Sequence, residues 1–467
     1  MGDSTVVGGS RAFTVSGSAM TGNMYTVSVV ASLHGIVPGS RIFCGGANDT
    51  RFLGSHTAVA VPTANQFTFE VQQSFGAIDV SDTASAVQFI IDDTNTDRGA
   101  FPYANAAIGS PYAIRNRSVS GSKTSRHLAR FEQDVLSLDP SLVYYMGFTN
   151  DIRGNVTSDD IIANINSICE KSLARGVPII LCTSTPYDAR GVSYTSEKLD
   201  RYNIVNAWIR RYASQTNGVL CHDVYAATVD FSSATGNWLA DYSNVDYIHP
   251  SRFGMQRAGK TLIPILQRIA PGRTPRGIQS ARDDHWITNA SMQFCRNAVM
   301  VGTSGTKIGT VSGSVPTHWI VNNYSGSACE ASIEADSDGY GNALVLTLGG
   351  GGTSNIDVLA YEAAAFVTPG EVYQLSYRLR GSGIGSVVGI AGFIQGNNGG
   401  SFSHGAPLFA ADITTKSWQD DFDLYLVGEP VTVPAGTYIL YRPTWRIYCN
   451  NSTGIVKLSQ VSFRRIS

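Results

Sequence analysis

Along roughly the first eighty residues, apolar and polar positions alternate with a period of two. Tyr25, Val27 and Val29 share one face of one stretch; Phe67, Phe69 and Val71 share one face of another. Breaks at His34-Gly35, Pro38-Gly39, Gly45-Gly46 and Asn65 divide the runs, so 6–97 is expected to be a small antiparallel β-domain. From about Ala100 the period changes. Residues 101–108 and 123–138 read as helices, and 142–146 as a short buried strand. Ile161, Ile162, Ile165, Ile168, Cys169 and Leu173 then recur at helical spacing. Thr157 or Ser158 stands at the cap position and Gly176 at the terminus. Residues 177–182 predict a second strand, and 196–213 a helix turning Leu199, Tyr202, Trp208, Ile209 and Tyr212 inward. A third strand is expected at 219–221, and a final helix at 253–269 contains Pro264.

Strands alternating with helices imply a parallel sheet covered on both faces, with its site beyond the carboxyl ends of the strands. Residues 271–277, Pro-Gly-Arg-Thr-Pro-Arg-Gly, read as a linker. Beyond Asp284 the pattern returns to many short strands, which suggests a sandwich over 284–467. With 467 residues, 15% charged, 43% hydrophobic and 48 glycines, the composition fits a multi-domain chain rich in β-structure and turns. A net charge of −2 gives no electrostatic case for nucleic acid. No apolar run approaches the ~20 residues of a membrane span. The first residues, Met1-Gly2-Asp3-Ser4, lack the basic and apolar regions of a signal peptide. Seven cysteines are scattered singly without a C-x-x-C, which points to free thiols rather than a disulfide framework or zinc site.

The candidate chemistry centres on Asp246 and His249. Three residues apart and followed by Pro250, they sit in one expected turn. The Asp would accept from one ring nitrogen and leave the other as general base. Gly2-Asp3-Ser4, Gly121 after Val119-Ser120, Asn150-Asp151 and Asp246-x-x-His249 occur in this order. Together they resemble the SGNH (GDSL-type) hydrolase family. The resemblance covers 1–5 and about 100–270, and it implies a flavodoxin-like three-layer α/β fold that hydrolyses esters. It assigns Ser4 as nucleophile, His249 as base and Asp246 as its orienting partner. The oxyanion donors would be the backbone N–H groups of Ser4 and Gly121 and the Asn150 side-chain amide. Glycine at 121 would let the backbone approach substrate closely. No metal or organic cofactor is implied.

The chain departs from the family pattern in three places. Only Met1 precedes Gly2, where the family carries an apolar strand. Thr5 replaces a leucine or isoleucine, and Gly147 stands one residue further from Asn150 than usual. The long separation of Ser4 from Gly121 makes 6–97 an expected insertion into a hydrolase domain of 1–5 and 98–272. That segment resembles a β-module of phage tail and surface-adhesion proteins, and 289–343 resembles carbohydrate-binding jelly-roll modules. A packing or assembly domain is the alternative to sugar binding there, although exposed aromatics such as Trp319 or Trp418 would suit a sugar face.

The layout resembles a phage tailspike deacetylase, which implies an acetylated bacterial polysaccharide as substrate and a homotrimer. It also implies synthesis in the cytoplasm and a place on the virion tail or outside the cell. A secreted plant-polysaccharide acetylesterase and a non-catalytic glycan-binding adhesin are the alternatives. His127 and His222 are expected to be structural, and Asp151 to brace the Asn150 loop. Trp238, Tyr242 and Tyr247 flank the turn and are candidates to line a pocket.

Overall fold

A computed structural model of the chain describes 12–13, 15–21, 24–29, 41–45, 54–63, 66–70 and 88–91. From 99 onward it describes all residues but 119–120, 192–193, 271–293, 325, 337–339, 354, 361–367, 398–400, 407–420, 429, 434–439 and 467. Ser4, the linker at 271–277 and Trp418 therefore lie outside what is described. Two compact units emerge, Met1–Phe101 with Ile114–Ile265, and Pro102–Ala113 with Leu266–Ser467.

In the first unit, β1 (Ala12–Phe13), β2 (Val15–Thr21), β3 (Met24–Val29), β4 (Arg41–Gly45), β5 (Gly54–Thr63), β6 (Gln66–Glu70) and β7 (Gln88–Ile91) form an antiparallel sheet. Its order among the described residues is β1-β7-β4-β5-β6-β3-β2. Phe67 and Phe69 are fully buried on β6, as the alternation predicts.

The α/β elements follow: α1 (Ala100–Ala107), α2 (Thr124–Asp134), β8 (Val143–Tyr145), α3 (Thr149–Arg153), α4 (Ser158–Ala174), β9 (Ile179–Cys182), α5 (Ser196–Gln215), β10 (Val219–His222), α6 (Val224–Thr228) and α7 (Arg252–Ile269). Helix α2 is shorter than its sequence pattern. It ends at Asp134, and a 3-10 turn at Leu136–Leu138 closes on left-handed Asp139. Helix α4 begins as expected: Thr157 Oγ1 accepts from the Asp160 N–H at 3.2 Å, and Asp159 and Asp160 favour the positive end of the helix. At its other end Gly176 adopts the left-handed φ of +71°.

Strands β10, β9 and β8 pair in parallel, in that order. One face of this sheet presents Val143, Tyr145, Ile179, Leu181 and Val219 to a core shared with Phe131 of α2, Ile161, Ile165 and Ile168 of α4, and Tyr202 and Ile209 of α5. The other face carries Tyr144, Cys182 and His222. Phe101 of α1 packs on Tyr144, and His222 Nε2 lies 2.9 Å from the Ala258 carbonyl of α7. Helices thus cover both faces, and the period-two pattern fades because neither face meets water. Among the described residues no helix is long and apolar enough to cross a membrane. Cys169, Cys182, Cys221, Cys329 and Cys449 are free thiols.

The second unit is built on β11 (Ser304–Gly309), β12 (Val311–Gly313), β13 (Val315–Asn323), β14 (Cys329–Ala335), β15 (Asn342–Gly349), β16 (Asn355–Ala360), β17 (Val372–Asn397), β18 (Ser401–Ala406), β19 (Phe422–Val427), β20 (Val431–Thr432) and β21 (Leu440–Arg465). They share one hydrogen-bonded sheet, in which β21 pairs along β17, with β16 beside Thr444–Tyr448 and β15 beside Thr453–Leu458. Register shifts between Ser376 and Gly389 interrupt the β17–β21 ladder. Residues 102–113 belong to this unit, where Ser110 Oγ donates to the Tyr425 carbonyl at 2.7 Å.

Trp319 corrects one expectation. It is fully buried, its Nε1–H donates to the Asn297 carbonyl at 2.9 Å, and its ring packs 5.6 Å from that of Trp445. A satisfied donor and an apolar neighbour make it core rather than a sugar platform.

The shared α/β core gives a direct test. Ile165→Ala removes a fully buried side chain of α4 and is expected to lower stability by about 2–5 kcal/mol. Urea denaturation followed by tryptophan fluorescence measures it; an unmoved midpoint would place Ile165 outside the core.

Candidate active site

Past the end of β8, fully buried Phe148 packs 5.2 Å from the Tyr202 ring and fixes the entry to α3. Asn150 and Asp151 follow on that short helix. The Asp151 carboxylate is buried and turns toward the start of α2. It accepts from the Thr124 N–H at 2.9 and 3.1 Å and from Thr124 Oγ1 at 2.7 Å. It serves as a cap supplied from another helix, since Lys123 makes no side-chain capping bond. Asn150 Nδ2 donates to the Ser122 carbonyl at 3.2 Å. Two adjacent residues thus bind the α3 loop to the segment that begins at Gly121.

Gly121 has φ +73°, and among the described residues a β-carbon built there would meet no atom within 4 Å. The left-handed backbone is what favours glycine at this position.

The Asp246–His249 turn is closed at its base by a bridge between Ser243 and Pro250. Asn244 N–H donates to the His249 carbonyl at 2.8 Å, and Tyr247 N–H to the Asn244 carbonyl at 3.1 Å. Tyr247 takes the left-handed φ of +56°. Asp246 Oδ1 accepts from the N–H groups of Ile248 and His249, both at 3.0 Å, an arrangement short acidic side chains adopt in turns. Its second oxygen is then aimed at the imidazole, and Oδ2 lies 2.6 Å from His249 Nδ1. Partial burial would push the Asp246 carboxyl up. The hydrogen bonds from the imidazole and the two N–H groups outweigh it and hold the carboxyl below the usual carboxylate range. A proton held on Nδ1 leaves Nε2 with the lone pair a general base needs.

Thr149, beside Asn150, and Ile248, beside His249, line one pocket with Pro186, Tyr187, Asp188, Gly191 and Tyr247. Its empty volume is about 250 Å³. The loops carrying Asn150 and His249 therefore border the same cavity. Tyr247 lines it as the sequence suggests, whereas Trp238 is buried behind the turn and donates from Nε1 to the Tyr247 carbonyl at 3.1 Å. Tyr242 packs instead on Phe253.

The other two histidines of this unit's α/β part are buried in polar networks. His127 Nδ1 lies 3.0 Å from Tyr145 Oη, and burial, with Arg130 nearby, holds its pKa well below the ordinary value. His222 Nδ1 lies 3.0 Å from Tyr144 Oη, and burial lowers its pKa to about 4. Both are neutral structural groups at pH 7.

Asp188 and Arg190, on the loop after β9, are functional candidates that only the fold brings into view. The Asp188 side chain is fully buried and paired with Arg190. Burial would raise its pKa, but bonds from the Arg190 side chain and the Trp238 and Arg190 N–H groups hold it below the usual value. An Asp-x-Arg pair at the carboxyl end of a parallel strand was the available signal.

Residues 74–257 match the GDSL-like Lipase/Acylhydrolase family. The matched GDSL-like segment takes in Gly121, Asn150, Asp246 and His249; Gly2-Asp3-Ser4 lies outside it. Solved structures similar to this chain include a GDSL-like lipase from Bacteroides thetaiotaomicron VPI-5482, 25% identical over 33% of this chain and 75% of that one, with a TM-score of 0.30. A member of the lipolytic protein G-D-S-L family from Veillonella parvula DSM 2008 is 16% identical over 38% and 91%, with a TM-score of 0.31. An acetyl-xylooligosaccharide esterase from Geobacillus is 22% identical over 38% and 83%, with a TM-score of 0.30. No curated protein matches the chain.

The joint between α3 and α2 is open to a stability test. Asp151→Ala leaves the Thr124 donors buried without this acceptor, and a loss of roughly 1–3 kcal/mol is expected. A lowered thermal midpoint is the readout; an unchanged one would show that the bond does not hold the two loops.

Proposed function

We propose that this chain is a carboxylic ester hydrolase that removes O-acetyl groups from a polysaccharide. The observation that carries the reading is the 2.6 Å bond between His249 Nδ1 and Asp246, on a turn that shares a pocket with the Asn150 helix. Ser4 is the nucleophile in this reading. His249 Nε2 takes its proton as the hydroxyl attacks the acetyl carbonyl, and Asp246 stabilises the imidazolium that forms. The oxyanion draws on the N–H groups of Ser4 and Gly121 and on the Asn150 amide. The imidazolium then returns its proton to the departing sugar oxygen, and water releases acetate from Ser4 by the same steps.

The pocket's lining by Thr149, Tyr187, Asp188 and Tyr247 supports a polar substrate. The β-rich segments before and after the GDSL-like segment support a place in a phage tailspike, acting as a homotrimer on bacterial surface polysaccharide outside the cell. In this reading 6–97 is an insertion beside the nucleophile, and 284–467 is a jelly-roll that binds glycan or serves assembly.

Acetate release from O-acetylated bacterial polysaccharide, with 4-nitrophenyl acetate alongside, tests the reading. Ser4→Ala and His249→Ala are each expected to cut turnover by about 10⁴-fold or more, and Asn150→Ala by about 10²–10³-fold. Turnover of the small ester alone would overturn the polysaccharide assignment. Binding of polysaccharide without any turnover would make the chain an adhesin.

A further inference from the structure

The Asp188–Arg190 pair does more than fill a loop. Asp188 collects the Arg190 N–H at 2.8 Å, Arg190 Nε at 2.8 Å, Arg190 Nη2 at 2.6 Å and the Trp238 N–H at 2.9 Å. This fully buried carboxylate therefore fixes the guanidinium as a two-pronged fork and ties it to the backbone at Trp238. Ala189 N–H donates to Asn237 Oδ1 at 3.2 Å and reinforces the same junction. From that anchor the guanidinium carbon stands 4.4 Å from the centre of the Tyr247 ring, within cation–π range. Trp238 Nε1 holds the Tyr247 carbonyl from the other side.

Tyr247 is the residue held at both ends, and it is the one in the turn with an unfavourable backbone. A tyrosine at φ +56° gives up the conformation it would prefer. That left-handed step lies between Asp246 and His249, where it lets Asp246 Oδ1 cap the Ile248 and His249 N–H groups while Oδ2 reaches the ring. We propose that Arg190, anchored on Asp188, is a positioning residue that keeps Tyr247 left-handed and thereby keeps Asp246 and His249 in hydrogen-bond register. The proposal rests on the hydrolase reading for its kinetic consequence, though not for its structural one.

The test is a double-mutant cycle on the full chain, with kcat and KM for 4-nitrophenyl acetate measured in the wild type, Arg190→Ala, Tyr247→Gly and the double variant. Arg190→Ala is expected to lower kcat by about 10–10²-fold, the scale of a catalytic group misplaced by about 1 Å, with KM nearly unchanged. In the Tyr247→Gly background the same change is expected to have little further effect, because glycine takes the left-handed conformation unaided. Equal losses in both backgrounds would overturn the proposal and make Arg190 a direct substrate contact. A second readout is the imidazole Nδ1 proton of His249 by NMR, assigned with His249→Ala. It is expected to weaken in Arg190→Ala, and an unchanged signal overturns the proposal. Should Arg190→Ala fail to fold, Asp188→Asn, of nearly the same volume, is expected to weaken the signal in the same way. A wild type with no ester turnover defeats the hydrolase reading alone, since the NMR arm still decides the positioning role.

Discussion

A carboxylate withdrawn from water must find its hydrogen bonds inside the protein, and Asp151 finds them on Thr124. That requirement fixes how the chain leaves β8. The short helix α3 can sit only where its one acidic residue, Asp151, meets the buried Thr124 N–H in the first turn of α2. Asn150 is then delivered to the Ser122 carbonyl, one residue from Gly121. Two segments nearly thirty residues apart become one piece of backbone geometry. The removal of solvent makes the joint stiff, because an unmade bond here has no water to replace it.

The contrast among the histidines follows from the same physics. His127 and His222 are buried, bonded to tyrosines and held neutral by desolvation. A proton acceptor whose charged form is so disfavoured is a poor base at neutral pH. His249 stands about one-third exposed beside a carboxylate of similar exposure. Its ring therefore has both solvent and a carboxylate beside it, a setting neither buried histidine has.

Much of this was legible in the chain. The helical spacing of Ile161, Ile165 and Ile168, Thr157 at the cap, Gly176 at the terminus and the three short apolar strands all appear where the pattern puts them, because each is decided by neighbours within a few residues. The Asp246–His249 contact was legible for the same reason: three residues and a turn are enough to define it. Asp188 was not, since its partners include Trp238, fifty residues on, and an Asp-x-Arg in a loop looks like solvated charge until the fold buries it. Trp319 was misjudged because only the packing of distant β-strands shows which side of a strand is covered. The left-handed backbone at Gly121 was not legible, since a dihedral leaves no mark in a sequence beyond the glycine itself.

The place of β21 in the second unit has a consequence for how the protein is made. The last of the described strands to leave the ribosome is not at an edge. It runs beside β17 and pairs in succession with β16 and β15 along its length. Until residues 440–465 are available, β15 and β16 each lack a neighbour, and β17 lacks its longest partner. The unit therefore cannot zip up from its beginning as synthesis proceeds; it must wait, open, for a strand that closes it from the middle. Such non-local pairing folds slowly and leaves strand edges unprotected in the interval. Holding those edges apart from other chains during that wait is a demand this topology places on the cell that synthesises it.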